Sequence, residues 1–177
     1  MPDQADNQKP HTLSPKVHWS RATGYLKLGM LEPAIQELSM LPEHLPWSKQ
    51  RRGMMVEIFQ QGKRWAEMGE VAHGLRMEFP EDADWWIADA YATRRCQTVE
   101  KAREILLEAL VHHYDHAMIR YNLACYACVL GSLGECLDFL KEAAKRDQRC
   151  KLMALEDEDL CAVHGALREM GWGDVVV

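Results

Sequence analysis

Two short constellations carry side chains with the spacing of known chemistry. Cys125-x-x-Cys128 has the spacing of a redox or zinc-binding thiol pair. His112-His113-x-x-His116 sets two imidazoles four residues apart, the interval of two metal ligands on one helix face. Each has to be weighed against the element that would carry it. A reactive CxxC sits at a loop or helix N-terminus, where the thiolate is stabilised. Cys125 and Cys128 fall in the middle of an apolar helical stretch with no second CxxC, so they read as packing or surface-lining residues. The histidines lie where a helix runs into a turn, without an HExxH motif, and read as a solvated helix end complementing the helix dipole. No phosphate-binding glycine loop, nucleophile elbow or dinucleotide fingerprint occurs. The sequence thus predicts no catalytic residues, no metal site and no cofactor.

Composition narrows the partners. The 177 residues are 47% hydrophobic, enough for one or two cores. The formal net charge is -6, from 21 basic and 27 acidic residues, and the doublets Arg51-Arg52 and Arg94-Arg95 are isolated. Phosphate backbones need a basic face, so no nucleic-acid partner is expected. No apolar run approaches the roughly 18 residues that span a bilayer. The polar, Pro-punctuated start lacks a basic region followed by an apolar one, so residues 1-14 read as a flexible leader and not as a secretory signal. With no export signal, the six cysteines are expected reduced, in a cytoplasmic protein.

The elements that would position any site emerge from an internal period. Pro46 and Pro80 are 34 residues apart, each closing an apolar helical stretch. That ruler divides the chain, without insertion or deletion, into windows 15-48, 49-82, 83-116 and 117-150. Position 8 of the windows holds Ala22, Val56, Ala90 and Ala124, and position 20 holds Ala34, Met68, Ala102 and Cys136. Position 24 holds Leu38, Ala72, Leu106 and Leu140; position 27 holds Leu41, Leu75, Ala109 and Ala143. Slim side chains at 8, 20 and 27 are what two antiparallel helices need to approach closely and then stack on the next pair. The pattern predicts helices over 16-28, 32-43, 50-61, 65-78, 84-96, 99-112, 118-130 and 133-146. Ser14-Pro15, Ser48, Thr98 and the box Ser132-Leu133-Gly134-Glu135 are the expected N-terminal caps. Gly29, Gly62 and Gly131 fall in the turns within windows. An apolar stripe of Leu152, Leu155, Leu160, Val163, Leu167 and Met170, interrupted by the acidic run 156-159, predicts a capping helix over about 158-170, which would cover the last window.

A 34-residue period with these columns resembles the tetratricopeptide repeat (TPR), and YNLACYACVLGSLGECLDFLKEAAKRD in the fourth window is its best match. Window two is the weakest, with Met68 where a small residue is usual. The resemblance implies an all-α, TPR-type α-solenoid of four antiparallel helix hairpins over 15-150, with 151-177 as a capping helix and tail. It also implies that the first helices line a concave face through positions 2, 5, 6, 9, 12 and 13 of each window. The contact residues expected there are Trp19, Met54, Tyr91, Arg94, Arg95, Met118, Tyr121, Asn122 and Cys125, a surface rich in the types that dominate interface cores. Asn122 is placed to bond a bound backbone, and Arg94 and Arg95 to select acidic flanks. Trp85-Trp86 read as packing residues. The carboxylate clamp of chaperone-tail binders is not matched, because its columns hold Trp19, Thr23, Met54, Asp84 and Ala88. The function implied is non-catalytic binding of a peptide or helix of another protein. The alternative is a self-associating or chaperone-like protein, so the state expected is a monomer or weak homodimer.

Overall fold

The computed structural model describes residues 13-174. The leader up to residue 12 and Val175 to Val177 lie outside the described residues. Within them the chain is helical and carries no strand. The helices are α1 (Pro15–Lys27), α2 (Leu31–Ser39), α3 (Trp47–Gln61), α4 (Trp65–Glu78), α5 (Ala83–Cys96), α6 (Val99–His112), α7 (Ala117–Val129), α8 (Leu133–Arg146), α9 (Arg149–Glu156) and α10 (His164–Glu169). Short 3-10 turns occupy Glu158–Val163 and Trp172–Asp174.

The chain divides after Gly62 into two compact units. The boundary falls inside the second window, so α3 closes the first unit and α4 opens the second. In the first unit α1 and α2 form a hairpin turned at Gly29, whose φ of 71° is natural only to glycine. His18 Nδ1 meets Glu37 Oε2 at 2.6 Å across that hairpin. On α3, Met54, Val56, Ile58 and Phe59 are buried, and the rings of Trp19 and Trp47 lie 6.4 Å apart.

In the second unit α4 packs on α5, α5 on α6, and α7 on α8. One continuous core runs from Trp86 through Leu106, Leu123 and Leu140 to Leu160, Leu167 and Trp172. Every residue in window columns 8, 20, 24 and 27 is buried, none exposed by more than 5%. Met68 is buried despite its size, and beside it a Cβ built on Gly69 would stand 3.4 Å from that of Ala92, so α4 and α5 run close together there.

Helix caps depart from expectation in three places, the first at Ser14, which precedes Pro15 as predicted but makes no side-chain cap hydrogen bond. Thr98 accepts from the Lys101 amide at 3.2 Å as predicted. Ser48 instead lies inside α3, which begins at Trp47. Ser132 makes no side-chain cap, and its expected partner Glu135 pairs with Arg103 at 2.5 Å. Within the repeats, Gly131 adopts φ 80°, whereas Gly62 stays at φ -77° and Lys63 takes the left-handed conformation at φ 55°.

The C-terminal segment differs most. Asp147 ends α8 and accepts from the Arg149 amide at 2.9 Å, which starts α9, a helix the sequence pattern does not predict. Asp157 then turns the chain, accepting from the Asp159 amide at 3.0 Å, so the predicted helix 158-170 becomes a 3-10 turn followed by α10. Leu160, Val163 and Leu167 are buried as the apolar stripe required.

The α7 N-terminus carries a pH-sensitive position. His116 is its N-cap residue, with Nδ1 buried and without a hydrogen-bond partner. Burial holds its imidazole below the ordinary value of 6.5; Asp84 opposes the shift, and His113 and Arg120 add to it. Below pH 6.5 the unfolded chain therefore binds a proton that the folded chain refuses, and stability is lost as pH falls toward the depressed value. Urea unfolding at pH 7.5 and 5.5 should show a larger loss for the native chain than for His116→Asn. Equal losses would contradict this role.

Candidate functional site

The first-helix columns are assembled in each unit separately. In the first unit Thr23, Leu26 and Lys27 of α1 face Met54, Glu57 and Gln61 of α3 across a depression of about 370 Å³. These are the columns from which a binding face is expected, here open, with Met54 buried beneath and Lys27 and Glu57 of opposite charge exposed. Trp19, also expected on this face, is half-buried against Trp47.

In the second unit the same columns on α5 and α7 are covered by the chain itself. Arg94 grips Asp159 with both guanidinium nitrogens; its Nη2 donates to Oδ1 at 2.6 Å, and Nη1 bonds Oδ2. The carboxylate raises the Arg94 pKa further above its ordinary value. Arg94 also lies 5.4 Å from the Tyr126 ring. Tyr121 donates its hydroxyl to Asp157 Oδ2 at 2.9 Å, and the Cys125 thiol reaches the same oxygen at 3.5 Å. Burial, and then the nearby acid, pushes both Tyr121 and Cys125 far above their usual range. Burial and the neighbouring carboxylates thus disfavour the Cys125 thiolate. Asn122 spends its amide on its own helix, donating to the Met118 carbonyl at 2.8 Å, and Met118 is half-buried against the core.

Tyr91 and Arg95 lie outside this cover. Arg95 Nη2 donates to the Tyr91 hydroxyl at 2.9 Å, and its guanidinium sits 4.9 Å from the Tyr91 ring and 5.5 Å from that of Trp65. Trp65 and Tyr91 meet edge to face at 5.6 Å. This is an aromatic cluster with an exposed cation. The column pattern misses Trp65 because it starts a second helix; only three-dimensional packing brings it to Tyr91.

The two motifs with chemical spacing resolve into packing. Cys128 is buried and its thiol is pushed up by burial. His112 stacks on Trp86 at 5.5 Å, and His113 Nε2 meets the Pro80 carbonyl at 2.9 Å. Trp86 is buried and donates Nε1 to the same carbonyl at 2.9 Å. Ligand-type atoms of Cys125, Asp157 and Asp159 do lie within 4.8 Å of one another. The two carboxylates there already have Arg94 and Tyr121 as counter-groups.

No protein-family model and no curated protein matches the chain. Among solved structures it is similar to MamA MSR-1 C2, a TPR-containing protein, with a TM-score of 0.62 at 15% identity. The alignment covers 80% of this chain and 81% of that one. The fold is of the TPR type. The likeness is one of fold.

The cover on α7 is stabilising as well as occluding. Arg94 and Asp159 are mostly buried, with side-chain exposures of 16% and 29%. Removing one partner of such a pair costs less than in a fully dry site and more than at the surface. Arg94→Ala should lower unfolding free energy by about 2 kcal/mol in urea titration, with Arg94→Lys intermediate because it loses the two-point grip. An unchanged midpoint would show that the pair contributes nothing.

Proposed function

We propose that this chain is a non-catalytic protein-interaction module that binds a peptide or helix of another protein against its first helices. The observation that carries the reading is that the first-helix columns already hold a polypeptide segment in the second unit. Arg94, Tyr121 and Cys125 receive the acidic turn at 157-159. The equivalent columns of the first unit are open, and Met54 gives them an apolar floor. Tyr91, Arg95 and Trp65 add an exposed aromatic and cationic contact of the type enriched where partners dock.

Leu160, Val163 and Leu167 anchor the α7 cover, each worth about 1.5–3 kcal/mol of burial, which makes it a permanent part of the fold. A partner is therefore taken at the open columns, and Arg94, Tyr121 and Cys125 support the fold there. Self-association is the second reading, favoured by Met77, Val111 and Tyr114, large apolar side chains at least 66% exposed.

A photo-crosslinking residue placed at Gln61 or at Arg95 in the native host tests the reading. Both positions should form adducts with another protein, and the exposed Glu100 should not. Adducts confined to Glu100, or none at either inner position, would defeat it. Adducts with a second copy of this chain would select self-association.

A further inference from the structure

A cleft of about 620 Å³ lies on the other side of α5, between α4 and α6. Its floor is small and apolar: Gly69 and Ala92, with Ile105 on the α6 wall. The missing side chain at Gly69 leaves the floor low enough for an incoming apolar group, and no segment of the described chain fills it. The volume is in the range that takes a few side chains of a ligand.

The charge of this cleft is opposite to that of the Arg94–Arg95 edge. Four carboxylates line it, Glu70, Asp89, Glu104 and Glu108, against the cations Arg76 and Lys101. Arg76 is already consumed. It is buried, donates Nε to Asp89 Oδ2 at 2.8 Å, lies 3.6 Å from Glu108, and sits 4.6 Å over the Trp86 ring. His73 Nδ1 also meets Asp89 Oδ2, at 3.2 Å. Glu70 on one wall and Glu104 on the other are exposed and have no ion-pair partner among the described residues. Two carboxylates without an ion-pair partner, against the single lysine Lys101 that donates to Gln97, border an apolar floor, a combination complementary to an apolar side chain flanked by cations.

We propose that the α4–α6 cleft is a second docking site, for a short basic segment of a partner protein. One apolar side chain of that segment rests on Gly69, Ala92 and Ile105, while flanking Lys or Arg side chains meet Glu70 and Glu104. This goes beyond the first-helix reading, uses a different face of α5, and does not depend on it.

Random twelve-residue peptides displayed on phage and selected on the full chain provide the test. The selected peptides should be net basic with a central apolar residue, and their synthetic forms should bind less tightly as salt rises. The pair Glu70→Gln with Glu104→Gln should weaken them about fivefold. The charge-reversed pair Glu70→Lys with Glu104→Lys should instead prefer the same peptides with Glu in place of Lys and Arg. Lys27→Ala with Gln61→Ala, at the first unit's depression, should leave binding unchanged, which separates this site from the first-helix face there. Neutral or acidic selected peptides, no enrichment, or equal affinity for native and Gln variants would overturn the proposal.

Discussion

Helix α7 is buried along most of its length, and the second unit is organised around the need to cover it. Ile119, Tyr121, Leu123, Ala124, Cys125, Tyr126, Ala127 and Cys128 are all buried, while Met118, Arg120 and Asn122 are half-buried and Val129 is exposed. Helix α8 covers one side, α6 another, and the 3-10 turn after Asp157 the third. Slim residues make that enclosure possible: Ala124 and Ala127 let neighbouring helices come close, and Cys136 and Ala143 do the same from α8. The C-terminal segment is thus a consequence of α7's composition. Its two aspartates supply acceptors for the Tyr121 hydroxyl, the Cys125 thiol and the Arg94 guanidinium, polar groups that the covering would otherwise strand.

The two units use the same sequence columns differently. Where a terminal repeat needs closing, the first-helix columns are used for stability. In the first unit, where Thr23, Leu26 and Met54 face a depression, the same columns remain available. Helix α5 carries several of the second unit's contacts. Tyr91 and Arg95 form an aromatic cluster with Trp65, Arg94 reaches the cover, and Asp89 and Ala92 line the acidic cleft. Placing three chemistries on one fourteen-residue helix is possible because its 3.6-residue turn distributes neighbours in sequence to different faces.

The helices were legible because close packing imposes a column. Ala22, Ala90 and Ala124, or Ala34, Ala102 and Cys136, repeat at one interval, and only stacked hairpins require that. The fold-back was not legible in the same way. Arg94 and Asp159 are 65 residues apart, outside any repeat, and an arginine on a first helix reads as a partner contact until its cis partner is seen. A signal for it did exist: from Leu123 to Cys128 six consecutive residues without a charge wrap more than one turn of the helix, which demands cover from somewhere. The caps at Ser48 and Ser132 failed for a local reason, since Trp47 extends α3 backwards and Glu135 has a stronger partner in Arg103. Trp65 and the acidic cleft needed three-dimensional packing, because they join residues of α4, α5 and α6 that share no column.

The most direct measurement of this arrangement is thiol accessibility, followed by mass spectrometry after brief alkylation of the native protein. Cys96 and Cys161 are exposed, and Cys125, Cys128, Cys136 and Cys150 are buried. The first pair should label fast and the other four slowly, with Cys125 and Cys128 gaining reactivity in an Asp157→Ala, Asp159→Ala variant whose circular dichroism is unchanged. Labelling of Cys125 at the rate of Cys96 in the native chain would contradict the covered α7 on which the division of surfaces rests.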